Sequence, residues 1–255
     1  MIPKRGRLLA GQGSGELLES RDGWNFAVNN REQFRRIWED VAGGHEYDGG
    51  YLGRQPVIVD AGAHVGVASH WLARRYPDAL VLAFEANPDT FRLLTRNLAA
   101  NWLDGRVLPF NVAVGTGWER VSFFTIPGDT WGDAAVRHVW HDDRTQELHV
   151  PSVPLSALLA GPVDLLKLDV EGVETAALAE AATNGALRNV RRLVMEFHGS
   201  AANPENRLDD VLATLHEAGF TTSIEQDGKT VRQERIRRDD PLWLILRATR
   251  DGWRR

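Results

Sequence analysis

The 255-residue chain contains no cysteine. Disulfides, thiolate metal sites and a cysteine nucleophile are therefore excluded, and the absence suits a reducing, cytoplasmic setting. A surplus of positive charge is also missing: 30 Lys and Arg stand against 35 Asp and Glu, a formal net charge of −5. An electrostatic grip on nucleic acid needs a basic surplus, so no nucleic-acid partner is expected. Arg232, Arg235, Arg237 and Arg238 cluster locally and read as a solvated charged face. No apolar run is long enough to span a bilayer, and Lys4, Arg5 and Arg7 are not followed by the apolar stretch of a signal peptide. No membrane partner is expected. What is present is an ordinary globular balance, 43% hydrophobic and 25% charged, in a chain long enough for a full α/β core. The 9 tryptophans suit core positions, with a few available to floor an apolar substrate pocket.

Residues 1–52 read as an N-terminal extension. Within it an amphipathic helix is predicted over 31–41, with Phe34, Ile37, Trp38 and Val41 at helical spacing and Gly43-Gly44 as the stop. Residues 53–255 read as one α/β domain. Five apolar runs (57–59, 80–84, 107–114, 165–168 and 193–195) alternate with helix-period segments at 67–75, 88–100, 173–182 and 205–218. Phe220–Ile224 and Leu242–Leu246 add two more strands. The pattern predicts a mostly parallel, seven-stranded sheet with helices on both faces. Residues 121–126 and 148–153 are expected to pair around an irregular insert. Four apolar runs end in a carboxylate: Asp60, Glu85, Asp169 and Glu196. Ligands of open α/β sheets bind at the carboxyl ends of the strands, so these acids fall where a ligand would sit.

Asp60-Ala61-Gly62-Ala63-His64-Val65-Gly66 follows the first of these runs and opens a helix. Gly62 permits a sharp turn. Gly66 lets the helix pack close to the strand or to a ligand. The spacing is G-x-x-x-G and lacks the middle glycine of the dinucleotide fingerprint, which lets backbone approach a pyrophosphate. Glu85 follows 25 residues after Asp60, placed to accept both hydroxyls of a ribose. The bland alternative for both acids is helix capping.

At these residues the chain resembles the FkbM family of methyltransferases. The matching segments are Val59 to Gly66, Phe84 to Pro88, Asn111 to Gly115, Asp164 to Glu174 and Met195 to His198. The family usually has asparagine where His64 stands and proline where Ala86 stands. The resemblance implies a Rossmann-like class I methyltransferase fold, making residues 53–255 the catalytic domain, with S-adenosylmethionine as cofactor. It implies that Gly62, Ala63, His64 and Gly66 face the methionine part and that Asp60 lies near its ammonium, directly or through water. Glu85 would hold the ribose, Asn87 would lie near it, and Asn111 would approach the adenine or serve as an ordinary loop cap. Asp169 belongs with the cofactor contacts as well as with the chemistry.

Methyl transfer to an alcohol benefits from a base or a metal. Asp169 and Glu171, then Glu196 and His198, repeat a two-residue spacing that points both members of a pair the same way. One reading makes His198 or His64 the base, oriented by Asp169 or Glu196. The oxygen ligands Asp169, Glu171 and Glu196 also admit Mg²⁺, but the base is the favoured reading. The bland alternative is that Asp169 and Glu171 cap the helix beginning at Val173 and brace Lys167, with Glu174 answering only to the helix dipole. Direct roles are expected for Asp169 and for one of Glu196 and His198, and Lys167 is expected to pair with a carboxylate. Ile126 to Arg144, with Trp131, His138, Trp140, His141, Asp142 and Asp143, is expected to form a substrate wall. The reading is O-methylation of a small secondary metabolite or sugar. Next come N- or carboxylate methylation, then an NAD-dependent oxidoreductase or a non-catalytic scaffold. The partner is a small-molecule acceptor, and the chain is expected as monomer or homodimer.

Overall fold

A computed structural model describes residues 16–126, 129–134, 144–237 and 239–252. The chain opens with an antiparallel hairpin, β1 (Leu17–Arg21) and β2 (Trp24–Val28), turning on Asp22 and Gly23, both at positive φ. An Asp-Gly pair is the residue choice such a tight turn demands. The hairpin was not expected; its Asp-Gly turn was the signal available. Helix α1 (Arg31–Trp38) is capped by Asn30, whose side chain accepts from Gln33 N. It is shorter than the 31–41 expected, because the next residues, Glu39–Gly43, widen into a π turn.

The large sheet follows. In chain order come β3 (Val57–Ala61), α2 (Val67–Arg75), β4 (Leu80–Glu85), α3 (Pro88–Ala100) and β5 (Val107–Asn111). Then β6 (Ala113–Gly115), β7 (Arg120–Ile126), β8 (Asp129–Ala134) and β9 (Gln146–Pro154) form a second, four-stranded sheet. The chain returns through α4 (Leu155–Leu158), β10 (Leu165–Leu168), α5 (Glu174–Thr183), β11 (Arg192–Gly199), α6 (Leu208–Glu217), β12 (Thr221–Gln226), β13 (Lys229–Val231) and β14 (Leu242–Thr249). The large sheet has the order β13-β12-β14-β11-β10-β3-β4-β5. Its five strands from β11 to β5 are parallel, and β14, β12 and β13 are antiparallel additions. The seven expected strands are present, and the short β13 makes an eighth.

Two boundaries that differ from expectation bear on the site. The run 107–114 divides at Val112, because Asn111 is the last residue paired to β4 and Ala113 begins pairing with β9. The run from Leu193 does not stop at Glu196, since β11 continues to Gly199 against β14. Glu196 and His198 therefore share one strand face by alternation.

The parallel strands are laid outward from β3 to β5, and the chain then crosses back to place β10 on the other side of β3. That reversal opens a crevice at the carboxyl ends of β3 and β10, the usual ligand position in such sheets. Apolar clusters fill both faces. One gathers α5 and α6 through Leu178, Leu212 and Leu215. The other joins α2 and α3 to the N-terminal segment through Leu72, Leu94, Phe26 and Phe34. No helix among the described residues is long and apolar enough to cross a membrane.

Candidate active site

The crevice is a cavity of about 760 Å³. Its lining comes from the turns after β3, β4 and β10, the strand β11, the second sheet and the N-terminal segment.

At the β3 end, Gly62 has φ +85°, and a Cβ there would lie 1.7 Å from the Asp169 carbonyl oxygen. The two strand ends can approach only because this residue has no side chain. Gly62 N and Ala63 N both donate to Phe84 O, at 2.9 and 2.8 Å, which fixes the loop against β4. His64 N then donates to Glu85 Oε2 at 2.8 Å, and Asn87 N donates to Glu85 Oε1 at 2.8 Å. The Glu85 carboxylate is thus held rigidly by two main-chain amides, 6% exposed, at the cavity wall.

Gly62, Ala63, His64, Glu85 and Asp169 line the cavity, as do Glu171, Glu196 and His198. Four other expected contacts stand behind the wall. Asp60 is fully buried, accepting from Ser69 Oγ at 2.5 Å with Lys167 Nζ 3.4 Å from its other oxygen. Gly66, at φ +95°, packs against Leu94, and a Cβ there would lie 2.7 Å from Leu94 Cδ1. Asn87 caps α3 and donates to Thr125 Oγ1 at 3.1 Å. Asn111 Nδ2 donates to the carbonyls of Glu85 and Ala86, at 2.9 and 3.2 Å, steadying the turn that presents Glu85.

Lys167 sits between the strand ends, 2% exposed, donating to the Gly62 carbonyl and, at 3.1 Å, to Asp169 Oδ2. Burial alone would lower its pKa, but Asp169 and Asp60 outweigh burial and hold the ammonium above the ordinary lysine value. Lys167 is a structural cation, as its expected pairing implies.

Beyond it four carboxylates surround His198. Its Nε2 lies 3.4 Å from Glu196 Oε1 and 3.8 Å from Glu171 Oε2. Its Nδ1 lies 3.4 Å from Glu174 Oε1 and 4.0 Å from Asp169 Oδ1. Burial would lower the imidazole pKa, but Glu171, Glu174 and Glu196 raise it well above the ordinary histidine value. The acids around it thus favour a positive charge at this point of the cavity. His64 is driven the other way, down to about 4, by burial and by Lys167. It stays neutral near pH 7 and is a weak base. Burial, with Asp169 and Glu196, raises the Glu171 pKa well above its ordinary value. Its residue also carries φ +56°, an uncommon conformation for a non-glycine that aims the side chain into the cavity.

The capping alternative for Asp169 and Glu171 is not what is found: Val173 caps α5 without a side-chain bond. Glu174, expected to serve only the helix dipole, is fully buried, accepts from Gly172 N at 3.0 Å and Asn206 Nδ2 at 2.5 Å, and faces His198. The sequence reading also missed Arg36, Asp40, Glu46 and Tyr47, which line the cavity from the N-terminal segment. Tyr47 donates to Glu196 Oε2 at 3.2 Å, and its ring lies 5.2 Å from Lys167 Nζ. No motif marks them, because they reach the site only through tertiary packing. Of the expected substrate wall, Ile126 lines the cavity and Trp131 belongs to β8, while His138, Trp140, His141, Asp142 and Asp143 lie outside the described residues.

Residues 60–222 match the family described as "Methyltransferase FkbM domain". The chain is 34% identical over 118 residues to "Methyltransferase sdnD" of Sordaria araneosa, covering 45% of each chain. It is 28% identical over 176 residues to "Hexuronic acid methyltransferase AglP" of Haloferax volcanii, covering 66% of this chain and 64% of that one. The matched region thus spans between about half and two thirds of these relatives' lengths. Among solved structures, M. jannaschii TYW2 in complex with AdoMet aligns with a TM-score of 0.46 at 15% identity, covering 95% of this chain and 88% of that one.

Proposed function

The chain belongs to the FkbM methyltransferase family, and from that membership we propose that it binds S-adenosylmethionine at the Gly62–Glu85 end of the cavity and methylates a hydroxyl of a small acceptor at the Asp169–His198 end. The observation that carries the proposal is the Glu85 carboxylate. Two backbone amides hold it at the cavity wall, where a carboxylate is the acceptor that a ribose diol requires. The Gly62-Ala63-His64 turn beside it lines the cavity and would face the methionine part.

Bound there, the sulfonium donor supplies a methyl group already activated for displacement. The protein's task is alignment and management of the acceptor proton. Tyr47 and His198 fix Glu196 from both sides. Lys167 offsets the charge of Asp169. Glu171 Oε2 is enclosed and has no hydrogen-bond donor among the described residues, so it is the oxygen placed to take the hydroxyl proton. As the acceptor oxygen gains the methyl carbon, the sulfur keeps the electron pair of the broken bond and the proton passes to that carboxylate.

Asp40, Glu46, Glu171 and Glu196 make the acceptor end acidic. Such a wall repels a carboxylate acceptor and keeps an amine protonated, hence non-nucleophilic, so a neutral hydroxyl suits it best. Calorimetry with S-adenosylhomocysteine, then mass spectrometry of a panel of hydroxylated, amine and carboxylate acceptors, tests the proposal. Binding and a 14 Da gain on a hydroxyl are expected from the added CH₂. No affinity for S-adenosylhomocysteine would sink it.

A further inference from the structure

The cluster beyond Lys167 is more than a set of acids. Asp169, Glu196 and His198 each offer one ligand atom, and these atoms all lie within 4.8 Å of one another. Asp169 is already divided in function: Lys167 holds its Oδ2, while its Oδ1 is enclosed with no hydrogen-bond donor among the described residues. Glu196 is divided likewise, with Tyr47 on Oε2 and with Oε1 turned to the imidazole. His198 is 93% buried by its 7% exposure, and its Nδ1 faces the fully buried Glu174. Glu174 is itself immobilised by Gly172 N and Asn206. A carboxylate on one ring nitrogen is how metal-binding histidines are oriented: it fixes the Nδ1–H tautomer and turns the Nε2 lone pair outward. Here Nε2 points at Glu196, and all three ligand residues line the cavity.

Charge favours the same conclusion. Asp169, Glu171, Glu174 and Glu196 crowd one imidazole and one lysine, and buried carboxylates at such density require a counter-charge. Two carboxylates and an imidazole suit a small divalent cation that keeps open positions for water or a substrate oxygen.

We propose that Asp169 Oδ1, a Glu196 carboxylate oxygen and His198 Nε2 bind a divalent cation of the Mg²⁺/Mn²⁺ kind, which holds the acceptor hydroxyl oxygen beside the transferring methyl. This rests on the methyltransferase reading of the same cavity. The cation lowers the hydroxyl's pKa, and the O–H proton leaves to Glu171 Oε2.

Mn²⁺ titration of the purified full-length protein, followed by electron paramagnetic resonance, tests the site without reference to activity. One tight Mn²⁺ per chain is expected, with a nitrogen hyperfine coupling from the single imidazole in its pulsed spectrum. Glu196→Gln and Asp169→Asn should each weaken that site by ~10-fold or more while the protein still melts cooperatively. Glu225→Gln, at the remote ion pair with Arg247, should leave it unchanged. Free Mn²⁺ undiminished at millimolar protein, or bound Mn²⁺ without the nitrogen coupling, overturns the proposal, as does retention of the site in both variants. The coupling is read on the wild-type protein, so a variant that fails to fold does not obscure the answer. A protein that takes Mn²⁺ with the nitrogen signature but no S-adenosylhomocysteine would keep the cation site and refute the methyl-donor reading. The converse result would do the opposite.

Discussion

Single residues in the loop after β3 carry consequences out of proportion to their size. Gly62→Ala places a methyl carbon on top of the Asp169 carbonyl, and main chain cannot step aside as a flexible side chain would. A loss of more than ~4 kcal/mol, read as failure to fold or a collapsed melting temperature, is expected. Glu85→Gln keeps the shape but sets an amide group against two main-chain N–H groups. It should weaken S-adenosylhomocysteine binding by roughly 10- to 100-fold in calorimetry, or about 1.4–2.8 kcal/mol; unchanged affinity would remove the ribose role. His70, never singled out by its sequence context, is fully buried, with Nδ1 on the Gly66 carbonyl at 2.6 Å and Nε2 on Asn101 Nδ2 at 3.0 Å. Burial lowers its pKa to about 4, although the Gly66 and Asn97 carbonyls act to raise it. An unfolded histidine titrates near ~6.5. Between those values the unfolded chain binds the extra proton, so this contribution is complete above the unfolded pKa and is lost as pH falls toward 4. The loss is on the order of 3 kcal/mol. His70→Gln should cost ~1–3 kcal/mol at neutral pH and flatten the acid limb of a melting-temperature profile.

Among the elements, those whose ends are written in caps and turns were the legible ones. Asn87-Pro88 starts α3 where expected, and the Gly66 turn starts α2. Elements closed by partners were misjudged. The strand β11 outran its acidic residue because β14 continues beside it, and β14 lies more than forty residues later in the chain. The β1–β2 hairpin is likewise held from a distance. Asn97 on α3 accepts from Ala27 N at 2.7 Å and donates to Ala27 O at 3.0 Å and Val65 O at 2.9 Å. Asn101, one turn on, grips Asn25 N and O at 2.9 and 2.8 Å. Two helix side chains thus answer backbone groups of β2 that a further strand would otherwise pair. Asn97→Ala leaves these groups unsatisfied and should cost ~2–4 kcal/mol in denaturant unfolding, with the loss shared by the glycine loop through Val65. A change below half a kilocalorie would mean that water replaces the amide.

At the scale of the whole molecule, the N-terminal segment and the sheet are one body. Phe26, Phe34 and Trp38 pack in the same cluster as Leu72, Leu93, Leu94 and Leu98, while Tyr47 and Glu46 close the cavity. A chain beginning at residue 53 would expose that face of α2 and α3. It should show no cooperative thermal transition by circular dichroism, whereas the full chain melts as a unit; a truncated protein that melts cooperatively would separate the two. The sequence by itself determined the alternating strands and helices, the glycine turn, the acids gathered at one sheet edge and the family they imply. All of these are local patterns, set by the period of side chains along a backbone and by the few residues able to make a given turn. Only the tertiary structure decided which of those acids face the cavity and which brace it. It put Asp60 behind the wall, ringed His198 with carboxylates, and brought Glu174 and Tyr47 to the site. Those outcomes depend on what stands within a few ångströms across the crossover between β3 and β10. Burial and neighbouring charge there are sums over the whole fold, so no short stretch of sequence contains them.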